Sequence, residues 1–240
     1  MDATTVIVGL LGVGALLTLL APAAGLALSF VPREFVTRPW TALTYPLVIS
    51  ISGGLGGPIF TALLLFWTYQ VGRSLEAVMT TPRFIKLWLF GTLFPALILS
   101  PVSSSLLLAG PLFPVSVLTV VWATRNANSP VLLMGFFPLA AKWIGALAAL
   151  GVLATYYPAG PLIGLLALVP LGLAWAFALG RIPGLRVAVP RVAKPTKEQR
   201  RRDAEFEGEV ARRRAEREEK DRLRRLLEGP AADDPTDPLR

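Results

Sequence analysis

The chain has 240 residues, 53% of them hydrophobic, with a mean hydropathy of +0.57 and a formal net charge of +8. That much apolar surface excludes an ordinary soluble domain of this length. Cysteine and histidine are both absent, which excludes disulfides, thiolate metal sites, histidine ligation and every Ser–His dyad.

Charge divides the sequence. Residues 1–180 contain seven basic residues and three acids, whereas the last sixty contain seventeen basic residues and thirteen acids. The expected organisation is a membrane domain over 1–183 followed by a charged cytoplasmic tail over 184–240.

A hydrocarbon core of about 30 Å takes roughly 20 helical residues. Six stretches approach that length: about 5–30, 44–70, 86–107, 110–124, 138–157 and 159–180. The first has the look of a signal peptide, but only Met1 and Asp2 precede it in place of a basic n-region. It reads as a retained span. In the second, "SGGLGG" (52–57) is backbone-permissive and can kink a helix or let a partner approach. No helix N-terminus with a lysine follows it, so it is no phosphate cradle. Pro111, Pro114, Pro161 and Pro170 fall inside or at the ends of spans, where membrane helices tolerate them when neighbours satisfy the freed carbonyls.

Basic residues set the expected orientation. The tail after Arg181 belongs in the cytoplasm, and with six spans the N-terminus joins it. Arg73, Arg83 and Lys86 of the second connection, and Arg125 of the fourth, then fall inside; Arg33, Glu34 and Arg38 lie outside. Aromatic residues suit both interfaces, with Trp40, Tyr45, Tyr156 and Tyr157 outside and Trp67, Tyr69, Trp88, Trp122 and Trp143 inside.

The tail has two parts. Residues 181–202 carry eight basic residues against Glu198, a juxtamembrane patch suited to anionic lipid headgroups through Arg186, Arg191, Lys194, Lys197, Arg200, Arg201 and Arg202. A charged helix is expected over about 196–228, opened by Thr196 and Gln199 as a capping box and laced by Glu209–Arg213, Glu216–Lys220 and Glu218–Arg222. Gly229–Pro230 ends it and leaves a frayed acidic end over 229–240.

Three motifs occur in order: "PWTALTYPLV", "VGRSLEAVMTTPRFIKLW" and "MGFFPLAAKW". Together they resemble the rhomboid superfamily of intramembrane proteins over roughly residues 30–180. The matching residues are Trp40, Thr44, Tyr45 and Pro46 entering the second span, and Gly72, Leu75 and Glu76 closing it. Arg83 and Phe84 open the third span, and Gly135, Pro138 and Lys142 lead into the fifth. The resemblance implies an all-α bundle of six transmembrane helices.

Active rhomboids are serine proteases, and here the chain departs from them. The second-span histidine and asparagine of active members align with Phe60 and Leu64. The glycine–x–serine–glycine aligns with Gly110 to Phe113, placing Leu112 at the nucleophile; the sixth-span histidine falls near Gly160. A Ser–Lys pair of Lys142 with Ser103, Ser104 or Ser105 is the other arrangement to weigh. The serines are expected at the outer face and Lys142 at the inner, too far apart for proton transfer.

Residue by residue, bland readings compete with functional ones. Gly72 suits close helix packing. Glu76 reads as an acceptor for N–H and hydroxyl groups of "TTPR" with Arg73 or Arg83 nearby, in preference to an ion or proton relay. Lys142 reads as snorkelling to headgroups, and Trp40 and Tyr45 as interface anchors. The resemblance implies a catalytically inactive rhomboid-like protein of the plasma or inner membrane, without cofactor or nucleic-acid partner. It would bind transmembrane segments of client proteins for trafficking, retention or quality control. The gate would lie around Tyr45, Gly53–Gly57, Tyr156 and Tyr157. A small-solute or ion transporter, and a scaffold acting through its tail, are the competing functions; the spans carry few of the ionisable groups a transporter needs.

Overall fold

The computed structural model describes residues 2–49, 56–133 and 137–181, with Lys220 beyond them; within 130–138 the side chain of Val131 alone is described, the rest being backbone. Two compact units divide the chain, Met1–Val187 and Ala188–Arg240. The helices below belong to the first. The expected tail helix over 196–228, the patch residues Arg186 to Arg202, Gly53 and Gly135 lie outside the described residues.

The described fold is mostly helical. Helix α1 (Ala3–Leu20) is followed by α2 (Pro22–Leu28), and a short α3 (Thr41–Thr44) runs into a single 3₁₀ turn at Tyr45–Leu47. Then come α4 (Gly56–Val78), α5 (Thr81–Leu99) and α6 (Leu112–Arg125). A small antiparallel hairpin, β1 (Pro130–Leu133) with β2 (Phe137–Ala140), pairs Val131 with Leu139 and precedes α7 (Ala141–Tyr156). The chain ends its described part with α8 (Pro161–Ala167) and α9 (Val169–Ala178).

Among the described residues three segments are long and apolar enough to cross a membrane: Ala3–Leu20, Thr81–Leu99 and Pro161–Ala178. Leu112–Arg125 is a shorter apolar helix. Several expected span limits are corrected. The first stretch breaks at Ala21–Pro22, because proline lacks the N–H that would continue the ladder and instead opens α2 at its first position. The second does not start at 44. Pro46 ends the first turn there, and α4 runs two turns past the apolar run, to Val78. The fifth begins as a strand, so α7 starts at Ala141 and not at 138.

Helix α6 lies at the centre. Phe113, Pro114, Ser116 to Val121 and Ala123 are all buried, the pattern of a helix apolar on every side and therefore enclosed. It packs against α4, α5, α7 and α9. Small residues set the approach: a Cβ on Gly91 of α5 would meet Pro114 Cα at 2.9 Å, and one on Gly145 of α7 would meet Ala123 Cβ at 2.9 Å. At the start of α6 the chain is tied to α2. Phe30 and Leu108 exchange backbone bonds of 2.9 Å each way, and Gly110 (φ +86°) donates to the Tyr45 carbonyl at 2.9 Å. That left-handed φ is glycine's ground.

Candidate functional site

The first helix cannot satisfy its own opening amides. Asp2 stands at its N-cap but makes no side-chain cap bond, and the first turn of any helix leaves N–H groups without partners. Glu76, in the last turn of α4, takes them. Its Oε1 accepts the N–H of Ala3 at 2.9 Å, and its Oε2 accepts the N–H of Thr4 at 3.0 Å and the Thr4 hydroxyl at 2.7 Å. The Thr81 hydroxyl adds a bond to Oε1 at 3.1 Å. Gly72 sits one turn earlier on the same face, where a Cβ would come 2.8 Å from Thr4 Cγ2 and 3.4 Å from Phe84 Cζ. The Gly72–Leu75–Glu76 motif is thus a socket: glycine admits Thr4, the carboxylate binds it, and the buried Leu75 and Phe84 close the apolar side.

Glu76 lies in the polar last turns of α4, outside the three apolar segments. Partial burial pushes its pKa up, but the bonds from Thr4, Ala3 and Thr81 outweigh burial and hold it below the ordinary 4.5. The expected acceptor role is met at Thr81. The stronger partners, in α1, carry no mark in the local sequence. Of the expected arginine neighbours, Arg73 is near enough to feel the Glu76 charge, but its hydrogen bond goes to the Tyr69 hydroxyl at 2.6 Å, with its guanidinium 5.8 Å from that ring. Among the described residues the ion pair is Arg38–Glu34, at 3.3 Å.

The "TALTYP" segment is also structural. Tyr45 is fully buried and donates its hydroxyl to the Thr92 carbonyl at 2.9 Å, beside the interruption that Pro95 makes in α5. It is neither an interface anchor nor a gate residue, and both expectations are corrected: its phenol reaches a backbone acceptor inside the bundle, not the headgroup layer. Trp40 remains 54% exposed. Thr44 ties the segment to α2 by a 3.1 Å bond to the Leu28 carbonyl, and Pro46 is buried.

The positions that the rhomboid resemblance aligns with catalytic groups do not all face one place. Leu112 opens α6 and packs against the main core, while Gly160 (φ +146°) precedes α8. The next residue, Phe113, stacks on Tyr156 at 4.9 Å, bringing the ends of α6 and α7 together. Phe60 is 68% exposed on the outside of α4, and Leu64 packs with Leu11, Ala15 and Ile49 around α1.

The serines and Lys142 are at opposite ends of α6. The Ser104 carbonyl accepts from the Arg33 N–H, whereas the Lys142 N–H reaches Ala127 beyond the other end of α6. Fourteen residues of helix separate these ends by about 21 Å. Lys142 is exposed, with its ammonium 5.9 Å from the Trp143 ring.

Two further aromatic residues take part unexpectedly. Trp67 and Trp122 meet edge to face at 5.6 Å. Trp67 Nε1 donates to the Thr119 hydroxyl at 3.0 Å and Trp122 Nε1 to the Ser74 hydroxyl at 3.2 Å. They latch α4 to α6, a contact that their reading as interface residues did not include. Comparison with protein-family profiles, with curated proteins and with solved structures found no match.

Proposed function

We propose that this chain is a six-span, rhomboid-like pseudoprotease of the plasma or inner membrane that binds transmembrane segments of client proteins without cutting them. Its termini face the cytoplasm, and its basic 181–202 segment engages anionic headgroups. The observation that carries the binding reading is exposed apolar surface on α4 and at the end of α7. Helices α4 and α7 each pack on α6 but meet one another little. The outer part of α4 presents exposed Ile59, Phe60 and Leu63, and the end of α7 presents Tyr157, 53% exposed. A hydrophobic client helix docking on these faces meets apolar side chains.

Absence of cleavage follows from side-chain chemistry. Leu112, Phe60 and Leu64 hold no nucleophile, base or oxyanion donor, and the sequence supplies no histidine. The motif residues that persist serve packing: Tyr45, Gly72, Leu75, Glu76 and Phe84 bind helix to helix.

The test is photocrosslinking in cells from a photoreactive residue at Phe60 or at Tyr157, followed by mass spectrometry. Transmembrane peptides of other proteins, intact and captured from both positions, are the expected result. Their persistence after deletion of 196–240 separates client binding from a tail scaffold. Crosslinks confined to lipid and to the chain itself, or clients cleaved in a manner dependent on Ser103–Ser105, overturn the proposal.

A further inference from the structure

Helix α6 forms the floor of a furrow whose walls are α7 and α9. The cavity has a volume of about 590 Å³, within the range of roughly 300–1,000 Å³ that holds small ligands. Small residues create it: Gly145 and Ala149 on one wall and Gly172 on the other, with Leu168 at the inner end, where the chain breaks between α8 and α9. A Cβ on Gly172 would meet nothing within 4 Å. From Lys142 to Ala149 is seven residues of helix, so the furrow runs about 10 Å into the bundle.

Its lining is apolar save at one end. There Lys142 stands on one side. On the other stands Trp175, over which the Arg181 guanidinium sits at 5.4 Å. The one hydroxyl along the lining, on Thr124, is already bonded to the Val120 carbonyl at 2.7 Å. Over residues 112–181 the charged residues are Arg125, Lys142 and Arg181, with no aspartate or glutamate. All three cluster at the end where α6 and α9 finish and α7 begins. The counter-charge is therefore not supplied by these helices.

An apolar trough one to two helical turns deep, closed by cations at its mouth, matches one class of molecule. We infer that the furrow between α7 and α9 holds one anionic phospholipid, an acyl chain lying along Gly145, Ala149 and Gly172 and the phosphate at Lys142 and Arg181. This site is lined by α6, α7 and α9 and not by the exposed face of α4; it shares Arg181 alone with the basic 181–202 segment, and it stands whether or not clients bind. A zwitterionic lipid offers the same acyl chain but brings its own cation to the mouth.

The test uses the purified full chain in detergent and native mass spectrometry, titrating phosphatidylglycerol and phosphatidylcholine of identical acyl chains. The first equivalent of phosphatidylglycerol is expected to bind about fivefold tighter or more, as one desolvating cation contributes. Lys142→Gln should remove most of that preference. Gly172→Leu fills the trough and leaves every charge in place, so it should weaken the first equivalent of both lipids several-fold. Ala146→Leu, an exposed position of the opposite wall, should do the same and serves if Gly172→Leu does not fold. Equal binding of the two lipids by the parent overturns the inference. So does undiminished phosphatidylglycerol binding by the filled variants, which would assign the lipid to the tail.

Discussion

Thr4 gives Glu76 two hydrogen bonds at once, its N–H at 3.0 Å and its hydroxyl at 2.7 Å, across 72 residues of sequence. An N-cap normally comes from the residue just before the helix. Here the capping carboxylate belongs to another helix, so one side chain both ends the fraying of α1 and fastens it to α4. The favourable interaction of a carboxylate with a helix N-terminus adds to the bonds.

The predicted consequence is a coupled loss of stability. Glu76→Gln should destabilise the purified protein by roughly 1–3 kcal/mol, since bonds to a charged acceptor are exchanged for weaker ones. Thr4→Val keeps the shape and removes the hydroxyl, at about 1 kcal/mol. A double-mutant cycle read by denaturation should give a coupling of at least about 0.5 kcal/mol; strictly additive effects would mean that the two residues do not interact.

The same carboxylate predicts a pH dependence. Its folded pKa is depressed below 4.5, so its contribution is complete above the unfolded value and is lost as pH falls through the folded one. Thermal stability should therefore decline below about pH 4.5 more steeply in the parent than in Glu76→Gln. Parallel curves for the two proteins would contradict this.

Tyr45 and Trp40, five residues apart in one motif, should behave oppositely. Tyr45→Phe removes the buried bond from the phenol to the Thr92 carbonyl and should cost about 1 kcal/mol. Trp40→Phe, at an exposed position, should change stability by less than about 0.5 kcal/mol. Thermal unfolding of the two variants side by side decides it.

How far this was legible in the sequence varies by residue. The apolar stretches reveal the helices because membrane-length hydrophobicity is a property of composition. The socket glycine, Gly72, and the carboxylate, Glu76, stand out because a small residue and a charge beside an apolar run are conspicuous. Their partner did not: Thr4 is an ordinary threonine, and a contact made over 72 residues leaves no periodic trace. Trp67 and Trp122 misled for a related reason. An indole near a span end looks alike whether its N–H meets a headgroup or the Thr119 hydroxyl. The strands Pro130–Leu133 and Phe137–Ala140 were hidden because the first lies in a segment that reads as a connection and Pro138 to Ala140 is apolar enough to read as the start of a span.

Two glycines of α7 test how tightly α6 is held. A Cβ on Gly145 would lie 2.9 Å from Ala123 Cβ, whereas one on Gly151 meets nothing within 4 Å. Gly145→Val should cost about 1–3 kcal/mol through overpacking. Gly151→Ala should be neutral, or stabilising by up to about 1 kcal/mol through helix propensity. Equal tolerance of both changes, measured as melting temperature and yield, would show that α6 and α7 are not in close register.

The bond between the first and fourth helices also bears on how the chain is made. Synthesis releases Ala3 73 residues ahead of its partner, so the opening amides of α1 stay without this acceptor until the end of α4 has been made. The start of the first helix is therefore fastened late, by a residue from the far end of another helix, and a chain cut short before Glu76 lacks the group that holds it.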